Sequence, residues 1–298
     1  MEFLEFLLTG VKAMTWQQAV MWLVGALLIF LAIKKDYEPA LLLPIGFGAI
    51  LVNIPLSSMV DQVAKDGGVI EGIIDFLFNK GIATEVFPLV LFVGIGAMID
   101  FGPLLSNPKM LFFGAAAQFG IFGTLLLAVA LGFDIKDAAS IGIIGAADGP
   151  TSIFVANYFD SRYVGPIMVA AYSYMSLVPI IQPFAIRLVT TKKERLIRMP
   201  YKPKQVSRTT RILFPIGVSV IAGLIAPSSL SLIGMLMFGN LIRESGVLNS
   251  LSKSAQSELA NLVTLFLGIT IASKMQAKDF ITVDRKSTRL NSSHGKLS

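Results

Sequence analysis

From Trp16 onward the chain is a succession of apolar stretches, at 16–33, 39–60, 85–99, 110–133, 138–159, 165–190, 212–242 and 258–275. Crossing the hydrocarbon layer takes roughly 20 mostly apolar residues as a helix. A helix pairs every backbone polar group within itself, which lipid requires of anything that spans it. The apolar runs are continuous rather than alternating, so they predict helices and not barrel strands. The expected fold is therefore an all-α polytopic membrane protein. Composition agrees: of 298 residues, 54% are hydrophobic and 15% charged, outside the range of soluble domains.

Three stretches are irregular. The run 212–242 is too long for one span and breaks at Pro227-Ser228-Ser229, which predicts two helices. The run 138–159 is split by Asp148-Gly149-Pro150. The shorter run 69–80 carries Glu71 and Asp75 four residues apart and reads as an amphipathic helix lying in the interface.

Between the two halves lies 192–211, with eight Lys/Arg against Glu194 alone. The positive-inside rule makes it a cytoplasmic loop. The halves themselves show a repeat. At an offset of 174, Leu91, Phe92, Gly94 and Ile95 meet Leu265, Phe266, Gly268 and Ile269. At 188, Pro39, Leu42, Ile45, Gly46 and Ile54 meet Pro227, Leu230, Ile233, Gly234 and Ile242. Two alignments in the same order predict an internal duplication, read as two inverted repeats of the kind transporters use. The expected organisation is a first repeat over 1–191 with its helix broken at 145–151, the basic loop 192–211, and a partial second repeat over 212–283. Residues 284–298 (DRKSTRLNSSHGKLS) share nothing with the rest and read as a non-native, adaptor-like tail. The counterpart of Asp148 would fall near position 322, beyond the chain, so the second repeat is expected to be incomplete.

Without that tail the net charge falls from +6 to +3, and neither His nor Cys remains. That excludes Ser–His hydrolysis, cysteine chemistry and histidine-ligated zinc or haem. It also removes any basic footprint for nucleic acid.

The chemistry concentrates on GIIGAADGPTSIF, 142–154. Asp148 before Gly149-Pro150 has the form of a helix N-cap. It lies mid-span, however, where a charge costs at least about 2.5–3.5 kcal/mol and irregular backbone survives only against protein or a watery cavity. The unwound turn frees carbonyls, Gly149 among them, beside the Asp148 carboxylate and the Thr151 and Ser152 hydroxyls. Oxygen-only ligation of this kind suits a hard monovalent cation. A second stretch, AAYSYMSLVPIIQP (170–183), places Tyr172, Ser173, Tyr174, Ser176 and Gln182 in an apolar helix with Pro179 and Pro183. Tyr172 and Tyr174 lie about 200° apart around a helix, so at most one can face Asp148. Asp100 reads as an ordinary helix end near the interface.

IGIIGAADGPTSIFVAN and GPIMVAAYSYMSLVPIIQP resemble the beta subunit of the sodium-translocating, biotin-dependent decarboxylases, which act on oxaloacetate, methylmalonyl-CoA, glutaconyl-CoA or malonate. The likeness extends to AIKKDYEPALLLPIGFGAILVNIP, to IGAMIDFGPLLSNP and to GMLMFGNLIRESGVLNSLSKSAQSELANLVTLFLG, and so covers nearly all of 16–283. The resemblance implies a multi-pass subunit of the inner or plasma membrane. It would decarboxylate carboxybiotin presented by a biotin-carrying alpha subunit, assemble with a small gamma or delta membrane subunit and possess the option of oligomeric beta subunits. The reaction would drive Na+ outward and consume a proton. By motif match, Asp148 corresponds to the family's sodium-site aspartate and Tyr174 to its tyrosine of ion or proton handling. The implied Na+ ligands are Asp148, Gly149, Thr151 and Tyr174. The remaining site groups of the family, an Asn and a Ser, belong to the second repeat. Ala146 and Phe184 stand where a glycine and a proline are frequent. An autonomous carrier such as a Na+/H+ exchanger needs the same mid-membrane carboxylate, and the residues alone do not separate the two.

Overall fold

The computed structural model describes residues 9–36, 38–64, 67–198 and 206–280. Its principal helices are α1 (Trp16–Lys35), α2 (Pro39–Val52), α3 (Ile73–Leu77), α4 (Val86–Met98), α5 (Leu111–Ala130), α6 (Ile135–Gly142), α7 (Gly149–Tyr158), α8 (Val164–Val189), α9 (Arg208–Ile225), α10 (Leu230–Ser245) and α11 (Ala260–Ile271). The only sheet among the described residues is a two-residue antiparallel pairing of Gln62–Val63 with Val69–Ile70. Four helical segments, Trp16–Lys35, Pro108–Ala130, Arg208–Ile225 and Asn249–Met275, are long and apolar enough to cross a membrane. The pair Ile73–Ile82 and Val86–Met98 reaches that length only together. The chain is thus an all-α polytopic membrane protein. The adaptor-like tail at 284–298 lies outside the described residues.

Two compact units form, one from residues up to Asn79 with those from Gly268 onward, the other from Lys80–Leu267. In the first, α1 and α2 make a helical hairpin with backbones in contact. A Cβ on Gly25 would stand 2.6 Å from the Gly46 carbonyl oxygen, and one on Gly46 2.7 Å from that of Gly25. With no hydrophobic drive between helices in lipid, such small-residue contact is what holds them. The capping box of Thr15 and Gln18 starts α1. At the end of α2, Asn53 is 1% exposed. Its Nδ2 donates to the Ala49 and Met275 carbonyls, each at 2.8 Å, and its Oδ1 accepts from the Ala277 N–H at 2.7 Å.

The second unit contains a matching arrangement. Helices α4 and α10 cross so closely that a Cβ on Gly96 would meet the Leu236 carbonyl oxygen at 1.8 Å, and one on Gly239 the Val93 oxygen at 2.0 Å. Near the end of α10, buried Asn240 donates through Nδ2 to the Ile99 carbonyl at 2.9 Å and that of Gly96 at 3.3 Å. Asn240 thereby pairs two carbonyls at the end of α4, whereas Asn53 pairs one carbonyl of its own helix and that of Met275.

Some expectations need correcting. The run 39–60 is helical only to Val52, where Asn53 ends it. The run 69–80 is no continuous amphipathic helix. Its start lies in the small sheet, α3 spans five residues, and Phe78–Ile82 is a π-helical turn. Glu71 is exposed but Asp75 is buried. Asp75 turns inward because donors await it: the Ser273 hydroxyl on Oδ1 at 2.5 Å and the Asp61 N–H on Oδ2 at 2.8 Å. The long run 212–242 does divide at Pro227–Ser229, giving α9 and α10.

Candidate functional site

The interruption at 142–154 is present, and its form is a hairpin. Helix α6 passes into a 3-10 turn, Ile143–Ala146. Ala147 then takes the left-handed conformation, φ 53° and ψ 39°, and Asp148 is extended before α7 begins. Left-handed backbone costs a non-glycine residue roughly 1–2 kcal/mol.

The far end of α7 shows where the chain goes. Asp137, in the first turn of α6, accepts the Ser161 hydroxyl on Oδ1 at 2.7 Å and the Arg162 backbone N–H on Oδ1 at 3.2 Å. Its Oδ2 takes the Arg162 guanidinium through Nε at 3.2 Å and Nη2 at 3.1 Å. Residues 137 and 161 would stand about 36 Å apart on one straight helix. The stretch 138–159, expected as a helix broken at 145–151, thus folds back on itself as a hairpin of α6 and α7, with Asp148 in the turn at its tip. Asp137 is 4% exposed, and its hydrogen bonds hold the Arg162 guanidinium above its ordinary pKa. One arm lies against α5, where a Cβ on Gly142 would come within 3.0 Å of the Ile121 carbonyl oxygen. The other arm buries Ser152, Ile153 and Ala156 completely.

Asp148 occupies the N-cap position of α7, yet its carboxylate caps no backbone N–H. The Thr151 hydroxyl donates to its Oδ2 instead. The Asp148 carbonyl accepts the Ser152 N–H at 3.1 Å and the Ser152 hydroxyl at 3.0 Å. Pro150 has no N–H, so the Ala146 carbonyl loses its i+4 donor. The tip thus gathers a carboxylate, two hydroxyls and the Ala146 carbonyl, an all-oxygen set suited to a hard cation and poor for soft metals. Gly149 and Pro150 are buried, Asp148 and Thr151 half-buried.

Tyr174 stands apart from this group in one respect. It is 37% exposed, and among the described residues its hydroxyl makes no hydrogen bond to Asp148, Thr151 or Ser152. Helix α8, which carries it, packs on α7 and on the 3-10 turn. It runs unbroken from Val164 to Val189, so Pro179 and Pro183 do not divide it. The side chains of Tyr172, Ser173, Ser176 and Pro179 lie outside the described residues. Gln182 is exposed. Asp100 sits at a helix end as expected, with its carboxylate 3.4 Å from Arg211.

A family model described as the Na+-transporting oxaloacetate decarboxylase beta subunit matches residues 17–287. This chain belongs to that family. It is similar to the glutaconyl-CoA decarboxylase subunit beta of Acidaminococcus fermentans, at 49% identity over 275 residues, 92% of this chain and 71% of that protein. The methylmalonyl-CoA decarboxylase subunit beta of Veillonella parvula is 48% identical over 276 residues, 93% and 71% of the two chains. The oxaloacetate decarboxylase beta chain of Klebsiella pneumoniae is 40% identical over 336 aligned positions, 94% and 77%.

For a beta subunit of this family, the residues that sequence reasoning missed are those that shape the hairpin. None of Asp137, Ser161 and Arg162 was singled out from the sequence. A usable signal was present: Asp134 begins α6 by accepting the Lys136 N–H at 3.2 Å. A helix that starts there places Asp137 in its first turn.

Proposed function

We propose that this beta subunit moves Na+ through the hairpin tip at Asp148, in step with decarboxylation of carboxybiotin carried by a partner alpha subunit. That the chain is the membrane subunit of a sodium-transporting decarboxylase follows from its family; the assignment to residues is our reading. The observation that carries it is the all-oxygen cluster of Asp148, Thr151 and Ser152 at the turn of a helical hairpin. Asp148, Gly149, Thr151 and Tyr174 are assigned as the Na+ ligands, with Asp148 and Tyr174 as the residues that couple ion to proton.

Carboxybiotin presented by the partner would supply the chemistry of the other half-reaction, loss of CO2 with uptake of a proton by the ring nitrogen. The residues here have a different task. With Na+ absent, the Asp148 carboxylate has the Thr151 hydroxyl to offset its charge. With Na+ bound, the cation takes over that role and the hydroxyl oxygen becomes a ligand. Electrostatic exchange of Na+ for a proton at one carboxylate links the two species. Tyr174, on the helix packed beside the tip, is assigned the proton relay.

We also assign the duplication. Asn53 and Asn240, on α2 and α10, each donate through Nδ2 to two backbone carbonyls, and Asn240 lies one residue from where the 188 offset puts the partner of Asn53. Inversion of the repeats, the cytoplasmic face of the 192–211 loop, a plasma-membrane location and a small gamma or delta partner belong to the same proposal.

The test is reconstitution of the complete complex in proteoliposomes, with 22Na+ uptake and decarboxylation measured together. Asp148→Asn should abolish both sodium uptake and sodium-stimulated turnover while insertion stays normal. Sodium flux down a proton gradient without any biotin protein would favour the exchanger.

A further inference from the structure

Helix α8 ends at Val189, and the chain passes through Thr190 and Thr191 into a single helical turn, Lys192–Arg195. Residues 187–198 contain Arg187, Lys192, Lys193, Arg195 and Arg198 against Glu194. All five cations are exposed, and among the described residues no carboxylate forms an ion pair with any of them. Glu194 is turned back on Thr191, accepting its N–H at 2.7 Å and its hydroxyl at 2.8 Å. Those bonds hold the Glu194 carboxyl below its usual range and keep it from folding over the cations. Arg195 is fixed too, donating through Nη1 to the Thr190 carbonyl and, at 3.0 Å, to the Thr190 hydroxyl. Arg187, Lys192, Arg195 and Leu196 surround an open concavity of about 430 Å³.

Large apolar side chains alternate with these cations. Leu188, Val189, Leu196 and Ile197 are each more than two-thirds exposed. We propose that this concavity at the end of α8 binds the phosphate headgroup of an anionic phospholipid. Cations reaching the headgroup layer while neighbouring apolar groups enter the acyl boundary is the arrangement of interfacial segments. Basic clusters directly beside a membrane helix attract anionic lipid. An acidic protein surface would match the cations but leave the four apolar side chains without a place. The site is independent of Asp148 and of the sodium reading.

The test uses the purified full chain in detergent, titrated with phosphatidylglycerol or phosphatidylcholine and read by native mass spectrometry. Wild type should prefer phosphatidylglycerol. Each basic side chain at a membrane surface is worth about fivefold, so K192Q/K193Q/R195Q should lower that preference by about a hundredfold. Lys109→Gln, exposed on another segment, should keep it. Equal binding of the two lipids by wild type, or undiminished preference in the triple variant, would overturn the proposal. So would complete displacement of the lipid by inorganic phosphate, which would make this a site for the free anion. Capture of an acidic carrier domain by these cations, with no preference between lipids, would assign the surface to a protein partner and equally overturn it.

Discussion

Asp137 and Arg162 close the open end of the hairpin whose other end carries Asp148: carboxylate and guanidinium meet at 3.1 Å across 25 residues of sequence. The two partners are unequal, the Asp137 side chain being 5% exposed and that of Arg162 71%. An exposed partner contributes little, because solvent screens it. The buried carboxylate is different, since the Ser161 hydroxyl and the Arg162 N–H also depend on it, and orphaned buried donors cost about 1–3 kcal/mol. Asp137→Ala should therefore lower the melting temperature in detergent clearly more than Arg162→Gln, which should lie close to wild type. Equal losses would show that the ion pair alone matters.

Ala147 is held in left-handed backbone immediately before Asp148. Ala147→Gly removes the Cβ conflict and should raise stability by up to about 1 kcal/mol. The freed turn should also hold Asp148 less firmly, so the sodium concentration for half-maximal turnover should rise. A more stable variant with unchanged sodium dependence would separate the strain from the site.

The crossing of α4 and α10 makes a sharp packing prediction. Gly96→Ala or Gly239→Ala places a Cβ within 1.8 or 2.0 Å of a carbonyl oxygen on the facing helix, so the backbones must part. Both should fold poorly, visible as aggregation on gel filtration. Gly114→Ala, with nothing within 4 Å, should be neutral or stabilising by up to about 1 kcal/mol, as expected of glycine in a helix interior.

Asn240→Leu keeps roughly the side-chain volume but leaves the Ile99 and Gly96 carbonyls without their donor. Loss of a buried hydrogen bond with an orphaned acceptor predicts about 1–3 kcal/mol of destabilisation. Asn53→Leu should cost more, because it strips partners from the Met275 carbonyl and the Ala277 N–H together. Thermal melts of both variants in one detergent compare them directly.

Much of the fold was legible because lipid imposes one rule. Long apolar runs became helices, and the Pro227 break fell where expected. What escaped was direction. An apolar stretch with a break reads alike whether the chain continues or turns back, and only the bonds of Asp137 to Ser161 and Arg162 distinguish the hairpin. The tip itself was visible as Asp148-Gly149-Pro150 with Thr151. The partner of its carboxylate was not: N-cap patterns predict a backbone donor, whereas the Thr151 hydroxyl takes the position. Asp75 misled for a related reason, since an acidic residue in a short amphipathic run reads as solvent-facing until Ser273, 198 residues away, supplies its donor.

The most direct test is sodium-dependent turnover of the reconstituted complex carrying Asp148→Asn or Thr151→Val. The asparagine variant should insert and assemble normally yet show no stimulation by sodium and no 22Na+ uptake. The valine variant should retain turnover at high sodium, with a half-maximal concentration roughly tenfold higher, as expected for loss of a ligand worth about 1.4 kcal/mol. Sodium stimulation at wild-type levels in Asp148→Asn would contradict the assignment and leave Asp148 only a structural part of the hairpin turn.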